Sequence, residues 1–185
     1  EARCFDKFDL GSSSFLRICG ESGVGKTTYL NALALELKRM GKSVLYQNQS
    51  RTYPSGYTPR EYADFISSGQ DFHDILAAFD IDSSKDFAHM SGGEIQRVVL
   101  AECLVSRCEF VLLDETFNAI DTARIHQVIH LLGDRAGRHP ITYIYISHVH
   151  SRFWKRLLKD FSSMCMCGLE KFNEGLFLAS YLGTP

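Results

Sequence analysis

Gly20-Glu21-Ser22-Gly23-Val24-Gly25-Lys26-Thr27 is the stretch on which the fold of this chain turns. It has the form G-x-x-x-x-G-K-[ST]. The run before it, Ser14–Cys19, is short and apolar and reads as a buried strand. The run after it, Thr27–Met40, carries Leu30, Leu33, Ala34 and Leu37 at helical spacing until Gly41 stops it. A glycine-rich turn held between a strand and an amphipathic helix is a phosphate-binding device. The glycines let the backbone aim its N–H groups inward, and the positive end of the helix dipole faces the same anion. Lys26 adds a point charge for the β- and γ-phosphates. Thr27 offers a hydroxyl to Mg²⁺, and Thr28 completes the residues expected against the nucleotide.

Outward from that loop, the second half of such a site is Phe110-Val111-Leu112-Leu113-Asp114-Glu115. Four apolar residues make a central strand of a parallel sheet. A carboxylate at the C-terminal end of such a strand sits where ligands bind in open α/β sheets. Asp114 is placed to hold the magnesium through water, and Glu115 to orient or deprotonate an attacking water.

The remaining elements alternate in the same way. Ser43–Gln47 reads as a strand and 51–59 as a loop. Arg60 to Phe87 reads as two or three short helices, and Gly92–Ser106 as a longer one. A helix capped by Asp121 or Thr122 carries Ile125, Val128, Ile129 and Leu132 and is expected to end near Gly133. Ile141–Ile146 is a strand, 151–160 a helix, and Met164–Lys171 with Leu176–Leu182 a hairpin turned through Asn173-Glu174-Gly175. Strands alternating with helices predict an α/β fold with a mainly parallel sheet. The whole of 1–185 is expected to be one domain, with a helical subdomain at about 51–90.

Ser91-Gly92-Gly93-Glu94-Ile95-Gln96-Arg97 is a second helix N-terminus with a serine cap and two glycines, a second anion-binding device in one small domain. Here the chain resembles the ATP-binding-cassette (ABC) ATPases, whose signature reads S-G-G-x-x-Q-R. The resemblance covers nearly all of 16–148. It implies a P-loop ATPase of ABC type that binds ATP and Mg²⁺. It also implies a head-to-tail dimer, in which Ser91, Gly92 and Gly93 of one copy face the nucleotide on the other. The resemblance further makes Asp121, in Asn118-Ala119-Ile120-Asp121, the acid of the loop that crosses the dimer interface. It makes His148 the switch histidine at the γ-phosphate. It makes Gln49, with Gln47 competing, the glutamine that joins the magnesium site to the helical subdomain.

Four departures mark a pared-down cassette, one of them a short helical segment up to Met90. The aromatic residue that stacks on adenine in the family falls at or before the start of the chain, and Phe5 and Phe8 are poor substitutes. The antiparallel β insertion after the phosphate-loop helix is missing, since Gly41 leads almost directly to the strand before Gln49. Glu102 stands where the family often has arginine.

Composition narrows the setting. Lysine and arginine number 20 against 22 acidic residues, for a formal charge of -2, so no basic excess points to nucleic acid. Six irregularly spaced cysteines fit a reduced, cytosolic protein. No apolar run approaches the ~20 residues that cross a bilayer, so any membrane partner would be separate subunits. The chain opens on Glu1 rather than Met, which fits a trimmed start. The leading expectation is the ATP-hydrolysing subunit of a membrane transporter, cytoplasmic and held at the membrane through its partner. It would pair with a second copy or a paralogous ABC subunit. The alternative is a soluble cassette that powers an assembly, repair or enzyme complex. His126 and His130, four apart on one helix, read as a solvated face rather than a metal site. Phe153-Trp154-Lys155-Arg156 with Lys159 reads as an ordinary amphipathic helix.

Overall fold

The structure, a computed structural model, describes residues 15–48, 51–66, 69–118, 120 and 122–146 (backbone alone at 122 and 123), and the backbone of 164–172 and 176–183. Strand β1 (Phe15–Cys19) leads through the glycine loop into helix α1 (Lys26–Arg39), followed by β2 (Val44–Gln47). Two short helices, α2 (Pro59–Ala63) and α3 (Gly69–Ala78), and a 3₁₀ turn at Phe87–His89 come before α4 (Gly92–Val105). Then come β3 (Phe110–Asp114), α5 (Thr122–Arg138), β4 (Thr142–Ile146), β5 (Met164–Phe172) and β6 (Leu176–Gly183).

The strands form one sheet in the order β2-β3-β4-β1-β5-β6. The first five run parallel, and β6 returns antiparallel against β5. The α/β architecture and the closing hairpin are those the sequence predicts. Because β1 to β4 are parallel, their C-terminal ends lie along one edge. Asp114 stands level with Ile146, and Ile146 with Ile18.

Alternation along the strands divides the core in two. Leu16, Ile18, Leu112, Ile144 and Ile146 face α1 and its Leu30, Leu33 and Leu37. The residues between them, Phe15, Val111, Leu113, Tyr143 and Tyr145, face the other way. They pack on α4, α5 and the short helices, through Leu100, Leu104, Ile129, Leu132, Phe72 and Leu76 among others. The period of two in the strands and of about 3.6 in the helices thus builds three layers with the sheet in the middle.

Two local expectations need correction. Pro59 opens α2 instead of ending the loop. Its fixed φ suits the first helical turn, and Thr58 and Glu61 close a capping box around it. Helix α5 does not stop near Gly133 but runs on to Arg138. Leu132 is buried and Ala136, one turn later, packs on the same core, while Arg135 donates from Nη2 to the Ser106 carbonyl at 2.7 Å. Those contacts outweigh the roughly 1 kcal/mol by which glycine disfavours a helix interior. The helix expected at 151–160 lies outside the described residues.

Phe72 is fully buried where α3 meets α4, with the Tyr62 ring edge-on at 6.4 Å between centroids. Phe72→Ala should lower the unfolding free energy by about 3–5 kcal/mol, the usual cost of truncating a core phenylalanine. Urea denaturation followed by far-UV circular dichroism checks it. A loss under about 1 kcal/mol, the size of a surface effect, would mean that α3 is not part of the cooperative core.

Candidate functional site

The chain leaves β1 at the edge where the parallel strands end, and the glycine loop turns there. Gly25, the residue before α1, has φ 99°, a left-handed conformation that a side chain resists. No side chain caps this helix and its first turn holds no acidic residue. The amide groups of the first turn are therefore open to an anion. Lys26 is almost buried. Its ammonium donates to the carbonyls of Gly20 at 3.0 Å and Glu21 at 2.8 Å, so it lies folded over its own loop.

The second residue of α1, Thr27, donates from Oγ1 to Asp114 Oδ1 at 3.3 Å, joining the loop after β1 to the end of β3. On the other side Tyr46, from β2, donates to Asp114 Oδ2 at 3.4 Å. Asp114 is 1% exposed. Burial holds its pKa above the ordinary carboxylate value, and neighbouring Glu115 adds to this, while the bonds from Thr27 and Tyr46 oppose it. The Tyr46 phenol is pushed up to about 12, by burial first and then by the Asp114 charge. A hydroxyl and a carboxylate this close are hard oxygen donors, the set that Mg²⁺ prefers, so these residues fit the ion that the sequence implies.

Glu115 has φ 55°, one of two positive values among the described non-glycine residues. Its amide donates to the Ile146 carbonyl, and its carboxylate accepts from Asn118 Nδ2 at 2.9 Å. The backbone at this turn after β3 is thus held in a conformation that strains most side chains.

The second glycine stretch opens α4. Ser91 Oγ accepts from the Glu94 amide at 3.3 Å, and Glu94 accepts from the Ser91 amide at 2.7 Å. Lys85 adds two contacts of 3.0 Å to the same carboxylate. The backbone bond from Ser91, then Lys85, brings the Glu94 pKa down to about 2. Ser91 and Gly92 are exposed. A Cβ added at Gly92 would meet nothing within 4 Å, so packing within this chain does not require glycine there.

The structure thus brings Lys26, Thr27, Asp114 and Glu115 to one edge of the sheet. Among the described residues no hydrogen bond joins Ser91, Gly92 or Gly93 to the phosphate loop. Gln49, Asp121 and His148 lie outside the described residues. Gln47, the competing glutamine, is completely buried and donates from Nε2 to Glu102 Oε2 at 2.7 Å. Two neighbours of the acid pair escaped the sequence reading, Tyr46 and Asn118. The first lay in a strand with no role assigned to it, and the second was quoted only as the start of the stretch that leads to Asp121.

A model of the family described as "ABC transporter" matches residues 6–118. The chain belongs to the ABC transporter family. It is 27% identical over 162 residues to the molybdate import ATP-binding protein MolC of Haemophilus influenzae, covering 76% of this chain and 64% of that protein. It is 34% identical over 158 residues to the aliphatic sulfonates import ATP-binding protein SsuB 3 of Rhodococcus jostii, covering 76% of this chain and 57% of that one. The chain thus spans about three fifths of the length of these two curated relatives. Among solved structures, the RNase-L Inhibitor superposes with a TM-score of 0.69 at 22% identity, over 92% of this chain and 35% of that one. The fold is that of the ABC P-loop ATPases. No helix of the described residues is long and apolar enough to cross a membrane.

The capping box of this ABC chain carries a pH signature. The folded pKa of Glu94 is depressed from 4.5 to about 2, so its stabilising effect is complete above 4.5 and is lost as pH falls toward 2. The melting temperatures of wild type and Glu94→Gln should therefore differ by a constant amount above pH 4.5 and converge toward pH 2. A gap that persists unchanged at the acid end would show that the glutamate charge is not what stabilises the cap.

Proposed function

We propose that this chain is an ATP-hydrolysing ABC subunit that binds ATP with Mg²⁺, pairs with a second copy or a paralogous ABC subunit around the nucleotide, and drives separate membrane-spanning subunits of a transporter. In this reading 1–185 is one ABC-type domain, with 51–90 as its helical subdomain, and it works at the cytoplasmic face of a membrane. The observation that carries the reading is the Thr27–Asp114 hydrogen bond, which unites the phosphate loop with the acid pair at the end of β3.

Phosphate enters the cradle of loop amides from Gly20 to Thr28, and Lys26 exchanges its contacts with Gly20 and Glu21 for the β- and γ-phosphate oxygens. Thr27 and Asp114 hold the magnesium, with Gln49 assigned to the same ion by resemblance. An ion held there would supply positive charge against the negative charge that builds on the phosphates during transfer. Glu115 orients a water in line with the γ-phosphorus and accepts its proton as the new P–O bond forms and the bond to ADP breaks. His148 and Asp121 are assigned by resemblance to the γ-phosphate and to the dimer interface. Most of the rate in such chemistry comes from position and charge.

Two findings support the dimer and the partner. Ser91 and Gly92 offer an exposed helix N-terminus whose glycine is not needed for packing within the chain, as expected if a phosphate on another copy approaches it. A groove of about 440 Å³ runs beside β2 and α2, lined by Leu45, Arg51, Tyr62, Phe65, Ile66 and Cys108 among others. Phe65, which lines it, is 73% exposed, and the 42% exposed Tyr57 ring lies 6.3 Å from the Phe65 ring, a place for a partner element to dock. The transporter assignment rests on the import ATP-binding relatives, because the likeness to the RNase-L Inhibitor concerns the fold alone.

Glu115→Gln should retain ATP binding and lose turnover roughly 10²–10⁴-fold, the worth of a positioned base. Phosphate release and equilibrium ATP binding measure the two effects, and normal turnover would move the base elsewhere.

Assembly in trans is tested by complementation. Lys26→Ala and Ser91→Arg should each be inactive as homodimers. Mixed, they should recover up to one working site per dimer, because one interface then joins an intact Lys26 to an intact Ser91. If tagged co-purification proves that mixed dimers form and no activity returns, the sandwich does not stand.

A further inference from the structure

Glu102 lies in the C-terminal half of α4, eleven residues after Ser91, and is only 8% exposed. A lone carboxylate at such depth would be unfavourable, but this one is ringed by donors. Gln47, the last residue of β2, donates from Nε2 to Oε2 at 2.7 Å. Arg51 donates from Nη2 to Oε1 at 3.2 Å and to Oε2 at 3.4 Å, and from the same nitrogen to the Tyr62 hydroxyl at 3.1 Å. The Arg51 guanidinium also lies 5.2 Å from the centre of the Tyr53 ring, and that ring stacks on Phe87 at 4.4 Å between centroids.

The cluster therefore grips the chain on both sides of Gln49. Gln47 and Arg51 are tied to the helix that Ser91 caps, and Tyr53 is tied to the 3₁₀ turn that leads into Ser91. We propose that Glu102 is a positioning residue. With Gln47 and Arg51 it clamps the segment leaving β2 to α4, so that a displacement of that segment and a displacement of the Ser91 end of α4 are one movement.

The ABC pattern often has arginine at position 102, so this chain carries the opposite charge there. Gln47 can serve either polarity. Its Oε1 is buried and has no hydrogen-bond partner among the described residues, while Nε2 holds the carboxylate. Turning the amide over would present an acceptor to a guanidinium at position 102. Reversing both charges should therefore preserve the clamp, and reversing one should break it.

The inference rests on the proposed nucleotide sandwich and is tested without turnover. Amide hydrogen exchange is measured on the purified chain with and without AMP-PNP and Mg²⁺. In wild type, exchange should slow in three segments, 20–27, 91–95 and 47–53. In Glu102→Gln, which keeps shape and loses charge, 20–27 and 91–95 should respond as before. The response at 47–53 should fall about fivefold or more, the smaller end of ordinary coupling between sites. Glu102→Arg and Arg51→Glu should each do the same, and the double variant Glu102→Arg with Arg51→Glu should regain the wild-type pattern.

A cluster that merely stabilised the fold would lower the melting temperature of the single variants and leave the three responses in proportion, which overturns the proposal. No response at 20–27 in wild type would overturn the nucleotide site, and the clamp's role with it. A response at 20–27 without one at 91–95 would overturn the sandwich, again taking the clamp with it. If the reversals fail to fold, Glu102→Gln alone decides, because a wild-type response at 47–53 in that variant refutes the proposal.

Discussion

Asp114 is a carboxylate sealed at the end of a strand, and much of the molecule is arranged so that it can exist there. Desolvation alone would favour its protonated form. The Thr27 hydroxyl and the Tyr46 phenol each donate to one of its oxygens, and these two donors come from different elements, α1 and β2. Bringing them together requires α1 to begin where β1 ends, and β2 to lie beside β3 in register. The glycine loop, the order of the strands and the short run between α1 and β2 all serve this one buried charge. A divalent cation would complete its neutralisation. The fold thus holds the acid in a state that invites the ion.

Two helix N-termini in this chain treat their free amides differently. That of α1 has a left-handed glycine before it and no side-chain cap, so its donors await a ligand. That of α4 is closed by Ser91 and Glu94, with Lys85 behind the glutamate. The first therefore depends on an anion for full satisfaction, and the second satisfies part of itself. In the proposed dimer this difference has a use. A signature helix that keeps its shape when alone offers the other copy a formed surface, so less order must be created when the copies close.

The sequence was most legible where the constraint was local. A glycine loop between an apolar strand and an amphipathic helix has few physical alternatives, whereas the uniformly apolar runs of β1, β3 and β4 did not reveal which residues face which side of the sheet. It was less legible where a contact distant in sequence decided. Gly133 reads as a stop, yet Leu132 and Ala136 pack on the core and Arg135 reaches Ser106, so α5 continues. Gln47 and Gln49 could not be separated by pattern, because only the fold reveals that Gln47 turns inward to an acid 55 positions later. Glu102 was visible as a departure, but its partner Arg51 lies 51 positions away and no periodicity links them. Tyr46 looked like an ordinary strand aromatic until its hydroxyl was seen against Asp114.

The left-handed backbone at Glu115 sets two kinds of selection against each other. Glycine or asparagine would sit at φ 55° with less strain, each relieving a conformation that costs on the order of 1–3 kcal/mol for most other residues. Repeated screening of a mutant library for folded protein alone would then enrich those two residues at this position and discard the acid. Screening for nucleotide turnover would do the opposite. A naive consensus drawn from stability data would erase the very side chain on which the chemistry is proposed to turn, and the resulting protein would be a sturdier scaffold with an idle site.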